Sequence, residues 1–203
     1  MNDFFRLFDI AKIRLGHPFR GTIEYDPDGP VHVVQVRDTR VTGEIVQDEM
    51  IRTILPTKKE PDWLQEGDIL FVAKGSKHYA VTVKGIPEHS VCSPHFYLIR
   101  LYGKAKQSFM PEFVAWQLNQ QLAQRYFKST AEGSLHLSVR KQVLQDAPIR
   151  KIDLEKQAQI VALNNAAIKE EKVLRHLIEN RKAQLESIAY QELETTKSAK
   201  VQD

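Results

Sequence analysis

The most constraining feature of this sequence is a stretch in which nothing stops a helix. The last glycine is Gly133 and the last proline is Pro148, so Leu154 to at least Leu193 contains neither breaker, and Asp153 stands where an N-cap belongs. About 40 helical residues at about 1.5 Å each make a rod of roughly 60 Å, too long for an element of a small globular domain. Its apolar stripe reads Ile160, Leu163, Ala167, Leu174, Leu177 or Ile178, Leu185 and Ile188. On a strict seven-residue frame one series holds Ile160, Ala167, Leu174, Arg181 and Ile188; the other holds Leu163 and Leu177 but also Glu170, Gln184 and Gln191. A seam this uneven does not suit a regular parallel zipper. It points to a partner helix packed in a looser, antiparallel arrangement, with the stripe as the expected dimer interface. The alternative is a helix folded back over its own domain, which would leave half of the rod overhanging.

The rest of the 203 residues suffices for one core. Up to about residue 103 the pattern is of short alternating runs: Val31 to Val36, Asp68 to Ala73, Tyr79 to Val83 and His95 to Leu101. β-Branched and aromatic residues dominate these runs, and Gly and Pro punctuate between them, which predicts at least five short strands. From Pro111 the period changes, with Phe113, Trp116, Leu118, Leu122, Ala123 and Phe127 at helical steps, predicting one helix that ends near Ser129 to Gly133. A second short helix is expected from Ser138 to Leu144, before Pro148. The expected organisation is an α+β domain over residues 1–152, a long helix over 153–194, and a polar, frayed tail over 195–203.

Composition narrows the function classes. No apolar run approaches the roughly 20 residues of a membrane span, and the N-terminus, with its early Asp3, lacks a secretory pattern. The single cysteine, Cys92, forms no internal disulfide, and together these features place the expected location in the cytoplasm. Residues 1–152 carry 21 Lys/Arg against 17 Asp/Glu, and between Arg100 and Lys151 nine basic residues meet three acidic ones. Such a local excess can supply phosphate contacts, or can be a solvated surface.

Catalytic patterns are missing from the sequence. Neither G-x-x-x-x-G-K-[ST] nor G-x-G-x-x-G occurs, and Gly75-Ser76-Lys77 is only a fragment of such a loop. Cys92-Ser93-Pro94-His95 offers one pair of zinc ligands where about four are needed, so a plain buried thiol and no metal are expected. There is no H-E-x-x-H, no G-x-S-x-G and no Pro-Pro of an amino-methyltransferase motif. A non-enzyme without a cofactor of its own is the expectation.

Three segments, in order, resemble one known family. Leu64-Gln65-Glu66-Gly67-Asp68-Ile69-Leu70-Phe71-Val72-Ala73-Lys74-Gly75 is similar to the strand and loop of a target recognition domain. Glu112 to Leu118 followed by Gly133-Ser134-Leu135-His136-Leu137-Ser138 resembles its downstream helix and loop, and Ala147-Pro148-Ile149 with Asp153-Leu154-Glu155-Lys156-Gln157-Ala158-Gln159-Ile160-Val161 resembles the start of its long helix. Each motif alone is weak, but their order over nearly the whole chain is specific. The family is the specificity (S) subunit of type I restriction-modification systems. Its usual members carry two recognition domains, each followed by a long helix, whereas this sequence has one of each and looks like a half-subunit. The resemblance implies double-stranded DNA as target and antiparallel homodimerisation through the helices. It also implies assembly with a methyltransferase subunit, which carries S-adenosylmethionine, and with an ATP-driven restriction subunit. Two identical readers about a twofold axis would favour inverted half-sites separated by an unread spacer.

Candidate DNA contacts fall into groups. Lys74, Ser76, Lys77, His78 and Tyr79 follow the Gly-Asp-Ile-Leu strand, with donors and an aromatic face. Arg37 and Arg40 suit a bidentate contact with guanine, or equally a surface ion pair with Asp38 or Glu44. His17, Arg20, Ser134, His136 and Arg140 form a third group, and Lys104, Lys106 and Lys128 suit phosphates. Trp63 and Trp116 read as core rather than stacking platforms. A stand-alone dimeric DNA-binding regulator would share the same charge and rod, and a scaffold with a peptide- or anion-binding domain would share the rod.

Overall fold

The computed structural model describes residues 3–55, 60–130 and 138–199, with side chains as far as Leu193. In chain order the elements are β1 (Phe4–Arg6), α1 (Leu7–Ile10), β2 (Ala11–Leu15), β3 (Val31–Val34), β4 (Ile51–Thr53), β5 (Ile69–Val72), β6 (Ala80–Thr82), β7 (Ser90–Cys92), β8 (Phe96–Leu101), α2 (Pro111–Asn119), α3 (Gln121–Thr130), α4 (Lys141–Gln145), β9 (Pro148–Arg150) and α5 (Leu154–Ala199). This is mixed α and β structure followed by a long helix, as the sequence predicts. The chain divides into two compact units, the first reaching Val161 and the second beginning at Ala162.

The first unit is built on an antiparallel sheet in the order β2-β8-β5-β6. Strand β5 is buried on both faces, and its period of two shares the side chains between two cores. Ile69 and Phe71 pack with Val114, Leu118, Ala123 and Phe127 of α2 and α3, while Leu70 and Val72 pack with Val34, Val81, Cys92 and Phe96. A three-stranded sheet, β4-β3-β7, joins β3 and β7 in parallel. A ribbon of β1 and β9 ties the N-terminal segment to the residues just before α5.

Two of the motif residues serve as buried polar anchors. Asp68, only 2% exposed, accepts the Gln65 N–H at 2.8 Å and both Nε and Nη2 of Arg100 at 2.7 and 2.6 Å. Arg100 also donates to the Trp63 carbonyl at 2.7 Å, so one ion pair fixes the turn that starts β5. The preceding Gly67 has φ +80, a conformation that glycine adopts without strain. Gln157, in the first turn of α5, has no exposed surface; its Oε1 accepts the Met110 N–H at 2.8 Å and its Nε2 donates to the carbonyls of Ser108 and Ile152 at 2.8 and 2.7 Å. Gln157→Leu takes this partner from one N–H and two carbonyls of half-buried residues, at a net of about 1 kcal/mol for each bond lost. The expected loss is about 2–3 kcal/mol, read as a lowered thermal midpoint; an unchanged melt would show that Gln157 does not anchor the helix.

The predicted single helix from Pro111 is broken at Gln120, whose ψ of 155 is extended. The break has a local cause. Asn119 turns its side-chain amide to Ala80, accepting its N–H at 2.7 Å and donating to its carbonyl at 2.9 Å, so that the helix end continues the pairing of β6. The amides of Gln120 and Gln124 then donate to the Trp116 and Leu118 carbonyls freed at the end of α2. The second short helix begins at Lys141 rather than Ser138.

In the second unit α5 continues to Ala199, past the expected end at residue 194, and residues 200–203 lie outside the described ones. Leu163, Leu174, Leu177, Ile178, Leu185 and Ile188 are all at least half exposed, Leu163 at 73%. Ala167 is exposed too, while Ile160 falls within the first unit and is half-buried there. Glu171 and Arg175 form an ion pair one turn apart at 2.6 Å. Among the described residues no helix is long and apolar enough to cross a membrane.

Candidate nucleic-acid interface

Sheet polarity sorts the candidate residues. Because β2, β8, β5 and β6 are antiparallel, the C-terminal ends of β2 and β5 and the N-terminal ends of β8 and β6 lie together at one end of the sheet. The loop Lys74 to Tyr79 leaves from that end. So does the segment after Leu15, where Gly16 fits against the Ser93 carbonyl so closely that a Cβ would stand 2.0 Å from its oxygen. Val139 N–H donates to the Ala73 carbonyl at 3.0 Å and Ser138 pairs with Lys74, which brings Arg140, at the start of α4, to the same end. Thr39 Oγ1 and Tyr79 Oη, 2.7 Å apart, join the segment carrying Arg37, Arg40 and Val41 to the loop.

Between these elements lies a groove of about 510 Å³, lined by Ser76, Lys77, His78, Tyr79 and Lys128 together with Val41, Asn119 and Gln124. Lys77 and Lys128 are both exposed, one from the loop and one from α3, and supply its positive charge. His78 is half-buried: Nδ1 lies 3.0 Å from the Val72 carbonyl and the ring stacks on Phe71, while Nε2 is buried without a partner among the described residues. Val41, Asn119 and Gln124 escape the sequence reading. Val41 is one valine in a turn region, and the two amides belong to the helix break that periodicity does not show.

Several candidates stand elsewhere or in other roles. Tyr79 is 6% exposed and packs its ring in the core, so its phenol serves the Thr39 contact rather than an open aromatic face. Arg37 Nε lies 3.5 Å from the buried Asp38 carboxylate, whose pKa burial raises, and Arg40 reaches Glu49 at 2.5 Å. Both arginines are therefore engaged in ion pairs, Arg40 with a partner different from the two expected. His17 packs edge-on against Phe19, and burial lowers its pKa, which disfavours the cation that a phosphate contact would use. Arg20 is exposed in the segment beyond it.

Lys104 and Lys106 lie in the 3-10 turn Gly103–Gln107 that follows the C-terminal end of β8, at the opposite end of the sheet. The structure does not bring them to the groove. Ser134 and His136 lie outside the described residues. Trp63 and Trp116 are half-buried, Trp116 stacked on Phe113. Cys92 is a buried free thiol with its pKa pushed up to about 12 by burial, unsuited to nucleophilic work. Among the described residues no group of three His, Cys, Asp or Glu is placed to hold a metal.

No family model and no curated protein matches the chain. Solved structures do. The HsdS subunit from Thermoanaerobacter tengcongensis is similar with a TM-score of 0.60 at 20% identity, over 86% of this chain and 44% of that one. A chain from a structural study of complex assembly and conformational transition of the type I R-M system gives 0.63 at 19% identity, over 86% and 44%. The type I restriction-modification S subunit from M. genitalium gives 0.54 at 16% identity, over 88% and 42%. The chain has the fold of these three solved chains and spans less than half the length of each.

Proposed function

We propose that this chain is a sequence-specific DNA-recognition subunit of a type I restriction-modification complex. The observation that carries this reading is the extent of the likeness, 86% of the chain in a single match to an HsdS subunit, which the α+β domain alone is too short to supply. The basic groove at one end of the sheet supports DNA as the ligand. The domain reads DNA and carries no chemistry. Two copies pair through α5, antiparallel, and present two readers to a bipartite, inverted target. The methyltransferase subunit and the restriction subunit bind this scaffold and act where it places them.

The test is affinity purification of the tagged full chain from its source cells, with mass spectrometry of the bound proteins. Recovery of an adenine methyltransferase at comparable stoichiometry is expected. Recovery of the homodimer alone would favour the stand-alone regulator. Within the groove, Lys77→Ala is expected to weaken binding to the selected duplex several-fold and to lower the slope of log affinity against log salt by about 1, with an unchanged melting curve. Equal binding at every salt concentration would remove the loop from the DNA face.

A further inference from the structure

The groove holds side chains of different chemical kinds, and most of their polar atoms are already engaged. Lys77 and Lys128 are flexible point charges, suited to phosphate rather than to reading a base edge. The Asn119 amide is held at both of its ends by the Ala80 backbone. The Tyr79 hydroxyl meets Thr39, and His78 Nδ1 faces the Val72 carbonyl. Gln124 differs from these. Its amide nitrogen donates to the Leu118 carbonyl at 2.8 Å, which fixes the side chain; the residue lines the groove, and its amide oxygen is the acceptor left to it. Val41, 55% exposed, lines the same groove from a different element and is its exposed aliphatic group.

We propose that Gln124 and Val41 are specificity-determining residues that together read one A·T pair in the major groove. The proposal rests on the DNA-recognition reading above and deepens it. Of the base pairs, A·T offers an exocyclic amino donor and a C5 methyl in one groove; C·G offers the donor without the methyl. The Gln124 amide oxygen accepts from adenine N6, and the Val41 side chain packs on the thymine methyl. Helix-end hydrogen bonding holds Gln124 before DNA arrives, so the acceptor costs little ordering on binding.

The experiment begins with selection of bound sequences from random duplex DNA by the full-length protein, followed by anisotropy titrations. In the selected motif each thymine is replaced in turn by uracil, which removes only the methyl group. One position is expected to lose affinity about fivefold on that replacement, and Val41→Ala is expected to abolish the difference between thymine and uracil there. Gln124→Ala is expected to relax selection at the same pair by about tenfold while leaving the other positions of the motif intact. Because Gln124 also caps α2, Gln124→Lys, which can still donate to the Leu118 carbonyl but has no acceptor oxygen, serves as a second variant, and thermal melts of both exclude misfolding. If both Gln124 variants keep the full motif while Lys77→Ala still weakens binding, the proposal falls and the DNA-recognition reading stands. If the unaltered protein selects no motif and binds with weak, salt-insensitive affinity, both fall.

Discussion

Replacing Asp68 with Ala is expected to bring the domain close to unfolding at 37 °C. The carboxylate is 2% exposed and closes a turn, through the Gln65 N–H, while receiving two bonds from Arg100. Removing it leaves a guanidinium, itself 29% exposed in side-chain area, facing a buried gap. Breaking such a pair from one side costs about 3–5 kcal/mol, mostly because the surviving charge has lost its counter-charge. A domain of this size has about 5–15 kcal/mol of stability in total. Urea unfolding followed by far-ultraviolet circular dichroism would report the loss as a lower midpoint at constant slope. The double change Asp68→Leu with Arg100→Met is expected to recover most of it, because no orphan charge remains. If Asp68→Ala leaves the midpoint where it was, the ion pair is not what holds the start of β5.

That pair explains why a short motif identified so much of the fold. Gly-Asp-Ile-Leu places a residue that tolerates positive φ, a buried anion and the first half of a strand buried on both faces in four consecutive positions, and each has a separate physical reason to be there. The Gln of the later motif is similarly legible only in retrospect: Gln157 looks like a surface residue of a helix, yet it is wholly buried against the backbone of the segment before α2. The long helix was readable because breakers are absent over 40 positions, a local signal. The break at Gln120 was not, because it depends on Asn119 meeting Ala80, 39 positions away. The ribbon of β1 and β9 joins residues more than 140 apart with three-residue strands, too short to carry a period. The groove suffers the same limit. Its cationic loop was visible as a run from Lys74 to Lys77, but Gln124 and Val41 enter it only through tertiary structure, and Lys104 and Lys106 are sent to the other end of the sheet by the direction of β8.

The helix supplies the second large effect. Leu174 and Leu177 are 50% and 58% exposed in the single chain, and they stand near the middle of a stripe that continues through Ile178, Leu185 and Ile188. A stripe of this kind on a helix with few apolar neighbours loses free energy to water unless a second helix covers it. In a twofold antiparallel pair the middle of the stripe meets its own copy, so each substitution is felt twice. Leu174→Glu with Leu177→Glu therefore removes four leucines from the proposed seam and puts four carboxylates in their place. At about 2 kcal/mol for each buried leucine the apolar loss alone is about 8 kcal/mol, which carries a nanomolar dissociation constant into the millimolar range. Light scattering at micromolar concentration is expected to show the mass of a dimer for the unaltered protein and half of it for the variant. Both positions lie in the second compact unit, so the melting of the α+β domain should stay unchanged and separate lost pairing from lost folding. A variant that keeps the dimer mass would move the interface off this stripe. A monomeric parent protein would instead leave each copy with one reader, and the inverted, bipartite target would go with the dimer.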